Sequence, residues 1–426
     1  MQDASALNYI HSLERFGSKP GLERVAELLR RLGDPQKQLK FVHIAGTNGK
    51  GSTATMTAGI LKAAGYRTGL NISPYVLEFR ERMQIDGAMI SHEELNALVA
   101  EVRAVAEQMG AEGCQPTEFE FVTATALLWY FRKRCDVVVL EVGLGGRFDA
   151  TNVIDTPLVS AITSIDLDHT QILGDAVEQI AFEKCGIIKP GGITVSYPDQ
   201  SPEALGVILE RCAQEGNDLL MGNLSAVEVL ECGIGGSRIR YGGLELMIPL
   251  MGRHQIANCL TVLEIVGALR QRGFAISDAQ IRDGIAGVRF PARLEILRRD
   301  PLIILDGAHN LSGARALHDA LSLVEGMRIH AVAGMLADKD YTSVLRLLAP
   351  KLHRMITVTP NNPRALPAQQ LAEIARTAGL EAQPCGDLQE ALAQAAQDNP
   401  GLILIFGSLY LASEIRGLIL PEAQQR

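Results

Sequence analysis

The chain has 426 residues, 47% of them apolar and 21% charged, which excludes a disordered or collagen-like chain. At about 100–200 residues per domain, this length predicts two or three domains. Lys and Arg number 40 against 49 Asp and Glu, a formal net charge of −9. That balance argues against a non-specific nucleic-acid binder, whose phosphate contacts need a basic face, but leaves room for a local basic pocket.

Leu7, Ile10 and Leu13 fall near helical spacing and predict a helix over 6–16; residues 22–32 repeat the pattern. Phe41-Val42-His43-Ile44-Ala45 then reads as a short buried strand. It runs into Gly46-Thr47-Asn48-Gly49-Lys50-Gly51-Ser52-Thr53, and a helix over 54–64 stops at Gly65. A second strand over 136–142 ends in Gly143-Leu144-Gly145-Gly146, and a third over 158–165 precedes Asp166-Leu167-Asp168-His169. Strands alternating with helices predict a parallel sheet with helices on its faces. Alternation and glycine pairs over 224–250 predict a small antiparallel hairpin insert, and 255–270 returns to helix. Gly287–Arg293 breaks the periodicity and is a candidate hinge. Beyond it, strands are expected at 302–306, 328–334, 354–358 and 402–406, with helices at 313–324, 341–349, 367–378 and 388–397. The expected architecture is α/β: a P-loop nucleotide-binding parallel-sheet domain over 1–290, and a smaller C-terminal Rossmann-like α/β domain over 291–426.

Seven cysteines without Cys-x-x-Cys spacing speak against a disulfide framework or a structural zinc site and suit a reducing compartment. Apolar runs such as Val137–Leu140 and Leu402–Phe406 are far shorter than the roughly 20 residues a membrane span needs. The N-terminus lacks a basic start followed by an apolar core, so no secretory signal, no membrane partner and a cytoplasmic location are expected.

The loop after Ala45 is the most informative local feature. A loop between a buried strand and a helix gathers backbone N–H groups, and the helix N-terminus adds partial positive charge. Glycines let the backbone close on a phosphate, and Lys50 supplies a full charge. The general Walker pattern is matched imperfectly: Ile44 stands six before Lys50, Gly51 follows it, and hydroxyls arrive only at Ser52 and Thr53.

Gly46 to Ser52 resembles the loop of the Mur-ligase superfamily, and its extra glycine resembles the folylpolyglutamate synthases. Gly21 to Val25, Ser73-Pro74, Leu140 to Asn152, Asp168-His169, Glu183 to Ile187 and Asp306 to Asn310 continue the likeness in order. It is nearest to the bacterial bifunctional dihydrofolate synthase/folylpolyglutamate synthase family. The resemblance implies an ATP-dependent ligase that adds L-glutamate to dihydropteroate and to folates through an acyl phosphate. ATP would be held by Gly46, Thr47, Asn48, Gly49, Lys50, Gly51, Ser52, Asn258, Arg293 and Asp306. Two Mg2+ ions would be bound by Ser73, Glu141, His169 and a carbamylated Lys184. Lys50, Lys184 and His309 would serve catalysis. The folate side would be Ser18, Lys19, Pro20, Thr117, Glu118, Phe119, Glu120, Phe148, Asp149 and Ala150. Two positions depart from the family pattern: Glu118 stands where Tyr is common, and Lys19 where an acidic residue is common. A monomer is expected, because the motifs of one complete site lie within one chain.

Glu141 stands at the carboxyl end of a buried strand, where ligands gather in α/β sheets, and His169 follows another such end. Lys184 has no local signal of its own. Other readings are a monofunctional folylpolyglutamate synthase, a Mur enzyme of cell-wall synthesis, a P-loop kinase or regulatory nucleotide binder, and a scaffold. The Lys50-Gly51-Ser52 spacing and the run from Glu141 to Asn152 oppose the cell-wall enzyme, and the distal cluster from Asp306 to Asn310 opposes the kinase.

Overall fold

A computed structural model describes residues 3–14 and 21–420. Among these, the strands are β1 (Phe41–Ala45), β2 (Thr68–Asn71), β3 (Met83–Ile85), β4 (Ala88–Met89), β5 (Val137–Glu141), β6 (Val159–Ile162), β7 (Ile193–Ser196) and β8 (Asp218–Met221). They form one sheet in the order β4-β3-β2-β5-β1-β6-β7-β8. The run from β2 to β8 is parallel, and β3 and β4 add an antiparallel edge. Every residue of β1, β2, β5, β6 and β7 is buried. Helices cover both faces of a parallel sheet, so strands such as β1 and β5 read as nearly unbroken apolar runs. The helix Glu118–Arg132 is one such cover; Phe121, Leu127, Trp129 and Tyr130 join its core.

A separate sheet holds β9 (Glu228–Gly233), β10 (Gly236–Tyr241) and β11 (Leu244–Ile248) in the order β11-β10-β9, with β9 and β10 antiparallel. It adds a strand to the expected hairpin. The last sheet comprises β12 (Glu295–Arg299), β13 (Leu302–Leu305), β14 (Ile329–Ala333), β15 (Arg354–Thr357), β16 (Ala382–Pro384) and β17 (Leu402–Phe406). Its order is β12-β13-β17-β14-β15-β16, parallel except for β12. The four strands expected here are present, flanked by the edge strands β12 and β16, and a further helix, Leu409–Ile419, follows β17.

By packing, the chain divides into two compact units. One comprises 1–227, 241–246 and 257–288; the other comprises 228–240, 247–256 and 289–426. Among the described residues no helix is long and apolar enough to cross a membrane.

Candidate active site

Register assembles the site in the first unit. Ile44 of β1 lies opposite Glu141 of β5, and Ala45 lies opposite Ile162 of β6. Asn71 of β2 pairs with Leu140. The carboxyl ends of four adjacent strands are therefore level. From them depart the Gly46 loop, the segment to Ser73, the Val142–Asn152 loop and the segment to His169. This is where α/β sheets place their ligands.

The Gly46 loop is tied down at its start. Thr47 N–H donates to the Ser164 carbonyl at 2.8 Å, and Thr47 Oγ1 donates to the Asp166 carbonyl at 3.0 Å. Gly46 has φ +152°, and a Cβ there would lie 1.8 Å from Thr163 Oγ1, so only glycine fits. The helix starts at Lys50, four residues earlier than its sequence pattern suggests, so the loop ends on a helix N-terminus. The first N–H groups of a helix lack intrahelical partners and suit an anion. Buried Asn258 sits against Gly49: a Cβ on Gly49 would fall 2.4 Å from Asn258 Oδ1. Ser52 is buried in the first turn.

Two lysines converge on one carbonyl. Lys50 Nζ donates to Gly46 O at 2.9 Å and to Thr47 O at 3.2 Å, and Lys184 Nζ donates to Gly46 O at 2.8 Å. Lys184 ends the helix Val177–Lys184 and is buried. Burial, reinforced by the Lys50 charge and opposed by Asp168 and Asp149, lowers its pKa to about 7. An ordinary lysine, at 10.5, is about one part in a thousand neutral at pH 7.5, whereas a large fraction of this amine is neutral there.

Ser73 and Glu141 also meet. Ser73 N–H donates to Glu141 Oε2 at 2.9 Å, which holds the buried carboxylate at the strand end. His169 has φ +51° and caps the short helix Thr170–Leu173; its backbone N–H donates to Asp168 Oδ1 at 2.9 Å. Among the described residues no three His, Cys, Asp or Glu side chains form a metal cage. The Glu141 carboxylate, with Ser73 beside it, still fits Mg2+, which is commonly held by one or two carboxylates and completed by water and phosphate oxygens.

On the expected folate side, Phe119 packs its ring edge on Gly143, where a Cβ would lie 2.5 Å from Phe119 Cζ. The 117–120 segment and the loop after β5 are thus in contact. Thr117 and Glu120 form a capping box: Glu120 N–H donates to Thr117 Oγ1 at 3.3 Å, and Thr117 N–H donates to Glu120 Oε2 at 2.8 Å. Arg24 pairs with Glu120 at 2.9 Å. Glu118 faces His11 at 3.3 Å. Asp149 is buried, with its carboxylate turned onto the Leu144 and Thr151 backbone N–H groups. Ala150 is buried, whereas Phe148 is exposed beside the Arg147 guanidinium, 4.4 Å from its ring centroid. Ser18, Lys19 and Pro20 lie outside the described residues.

Arg293, Asp306 and His309 belong to the second unit. Asp306 is buried after β13 and accepts N–H bonds from Leu294 at 2.9 Å and Ala308 at 2.8 Å. Burial raises its pKa, and the Arg293 charge opposes that rise. His309 Nδ1–H donates to the Gly307 carbonyl at 2.8 Å, which assigns Nε2 as the acceptor. Arg293 lies over the Phe290 ring at 5.7 Å.

Sequence reading passed over Asp168 as a site residue, although its charge bears on Lys184. An acidic residue in a loop after a buried strand was the available signal. It also passed over the glycine contact that seats Lys184. A Cβ on Gly146 would lie 2.7 Å from the carbonyl oxygens of both Glu183 and Lys184. Gly146→Ala is therefore expected to destabilise by about 1–3 kcal/mol through overpacking. Gly206→Ala is the contrast: no atom lies within 4 Å of its Cβ position in the helix Pro202–Glu215. That change is expected to stabilise by about 0.5–1 kcal/mol. Thermal unfolding of the two variants checks both signs.

Comparison with known proteins gives the family. The Mur ligase middle domain matches residues 44–266, and the Mur ligase glutamate ligase domain matches residues 292–409. The folylpolyglutamate synthase of Lacticaseibacillus casei is 39% identical over 99% of this chain and 99% of its own length. The dihydrofolate synthase/folylpolyglutamate synthase of Bacillus subtilis is 36% identical over 96% of this chain and 97% of its own. The structure of Escherichia coli FolC with DHPP and ADP superposes with a TM-score of 0.86 at 31% identity, covering 100% of this chain and 98% of that one. The chain belongs to the Mur ligase family of ATP-dependent ligases, within the dihydrofolate synthase/folylpolyglutamate synthase group.

Proposed function

We propose that the protein joins L-glutamate to dihydropteroate, forming dihydrofolate, and to folates, forming folylpolyglutamates, with ATP as co-substrate. The observation that carries this is the convergence of Lys50 and Lys184 on Gly46 O, at a strand-end site that also holds Glu141 and Ser73. The name of the B. subtilis relative covers both synthase activities, and the E. coli structure holds DHPP with ADP.

A carboxylate is a poor electrophile. One of its oxygens attacks the γ-phosphorus of ATP, the bond to ADP breaks, and an acyl phosphate forms. The glutamate amine then attacks the acyl carbon, loses a proton and expels inorganic phosphate. Phosphoryl transfer between anions depends chiefly on neutralising charge. Lys50 and the N-terminus of its helix supply this for the phosphates, with Gly46 to Ser52 wrapping them and Asn258 steadying Gly49. Arg293 and Asp306 are the proposed nucleotide residues of the second unit, and His309 the residue near the transferring phosphate.

Mg2+ would be held by Ser73, Glu141, His169 and Lys184 in carbamylated form. When bound, it supplies Lewis-acid stabilisation of the phosphate oxygens. A neutral Lys184 amine can add to carbon dioxide, forming an N–C bond and releasing a proton, which turns a buried cation into an anionic oxygen donor. Glu141→Gln removes one carboxylate charge from this set. The Mg2+ concentration giving half-maximal activity is expected to rise roughly tenfold or more, read from magnesium titrations of initial rate.

On the folate side, the proposed contacts are Ser18, Lys19, Pro20 and the surfaces around Thr117 to Glu120 and Phe148 to Ala150. Within these, Phe119 and Phe148 offer the rings on which a flat pterin would stack. We further propose a monomer that requires no nucleic acid or membrane.

The deciding assay follows ADP release with dihydropteroate plus glutamate, with a UDP-muramyl acceptor, and with no acceptor. Release is expected to require dihydropteroate and glutamate together. Turnover with the muramyl acceptor alone would move the protein to the cell-wall ligases.

A further inference from the structure

One buried polar group on β1 has no part in the mechanism above. His43 lies in the middle of β1, paired in register with Leu140 of β5 and Ser160 of β6, with no exposed surface. Its Nε2 is 2.9 Å from Thr151 Oγ1, and its buried Nδ1 has no hydrogen-bond partner. Thr151 Oγ1 is 2.5 Å from Asp149 Oδ1 and donates to it in a short O–H···O bond. A hydroxyl has one proton, so Oγ1 must accept from Nε2–H. The orphan is then an acceptor, the milder of the two buried alternatives. Burial holds the ring pKa near 3, so His43 is neutral at any working pH.

The chain ends on the loop after β5. Asp149 Oδ2 accepts Leu144 N–H at 2.8 Å, and Oδ1 accepts Thr151 N–H at 3.0 Å. That loop meets Phe119 at Gly143 and carries Phe148. The Gly46 loop is held separately, by Thr47 on Ser164 and Asp166. The two loops therefore have different hydrogen-bonded anchors on their β strands, and they meet through Lys184, on whose backbone Gly146 packs and whose ammonium reaches Gly46 O. An aliphatic residue at position 43 would pack in this strand without an orphaned nitrogen, so the polar ring has a cost that packing does not explain.

We infer that His43 and Thr151 are positioning residues for the acceptor acid: the buried chain from His43 Nε2–H through the Thr151 hydroxyl to Asp149 sets the Gly143–Ala150 loop against which the pterin end is bound. This rests on the functional reading above.

Thr151→Val keeps the volume and removes the hydroxyl; Thr151→Ser keeps the hydroxyl. In Thr151→Val the KM for dihydropteroate is expected to rise about tenfold, as small misplacements do, while the KM for ATP stays within about twofold; Thr151→Ser restores wild-type values. Hydrogen exchange at the Leu144 amide should accelerate in Thr151→Val while the Val139 amide of β5 keeps its protection. Unchanged dihydropteroate KM with unchanged Leu144 exchange overturns the inference, as does an ATP KM that rises in step. Should Thr151→Val not fold, His43→Leu breaks the chain from its other end and takes the same readouts. If the wild-type enzyme releases no ADP with dihydropteroate and glutamate, the functional reading fails. Leu144 exchange then still decides whether the chain holds the loop.

Discussion

Lys184→Ala is expected to lower the rate of amide formation by about two to three orders of magnitude, the usual cost of removing a group that stabilises transition-state charge. A small carboxylate such as acetate, added at tens of millimolar, should recover part of it by occupying the vacated volume with an anionic oxygen donor. Steady-state ADP release with and without acetate reads both effects. Wild-type activity in the variant would remove Lys184 from the site. The same burial fixes the sign of a pH dependence. The unfolded chain holds this proton up to its ordinary value of 10.5, whereas the folded protein releases it near 7. Below 7 both states are protonated and the folded one carries the full penalty of a buried cation. Between about 7 and 10.5 the unfolded state binds more protons, so stability rises with pH through that window. Lys184→Ala should flatten that rise in denaturant titrations at a series of pH values.

Lys50→Ala is expected to lose phosphoryl transfer by a comparable factor, roughly two to three orders of magnitude, with little change in folding. Its ammonium donates to Gly46 O and Thr47 O, and the loop keeps its Thr47 bonds to Ser164 and Asp166 without it. Single-turnover phosphoryl transfer and thermal unfolding separate the two roles; a variant that unfolds would make Lys50 a structural residue. The pair of lysines also predicts a cross-effect. Because the Lys50 charge contributes to the lowered Lys184 pKa, Lys50→Ala should raise it, visible as a shift of carbamate formation to higher pH. Lys50→Arg restores the charge but not its shape, so only partial recovery is expected.

Much of this was readable before any coordinates. Buried parallel strands announce themselves as apolar runs, so β1, β5, β13, β14, β15 and β17 were all found near their observed limits. The buried strands β2 and β7 were not, because Thr68, Gly69 and Asn71, and Thr194 and Ser196, break their apolar runs; nor were the edge strands. Glu295–Arg299 reads as polar because one side faces away from the core, and Ala382–Pro384 is too short to show a period. The helix at Lys50 starts earlier than its apolar pattern because Lys50, Gly51 and Ser52 have the wrong composition for a helix start but the right one for a phosphate loop. Site chemistry divides in the same way. A glycine-rich loop with its lysine is a local signal. Lys184 is not: its burial comes from Gly146 packing on its backbone and from the distant Gly46 carbonyl. His43 was hidden inside an apolar run, since a sequence does not say which strand residue faces a hydroxyl distant in the chain. Thr117 and Glu120 were read only as folate side; the structure shows that they also form the Thr-x-x-Glu capping box of their helix.

The central claim is that ATP activates the acceptor's carboxylate as an acyl phosphate. Its most direct test uses dihydropteroate labelled with oxygen-18 in the carboxylate, with ATP and glutamate. One labelled oxygen should pass to inorganic phosphate for each amide formed, detected by mass spectrometry or by the phosphorus-31 isotope shift. Phosphate free of label alongside labelled amide product, or release of AMP and pyrophosphate, would contradict the account.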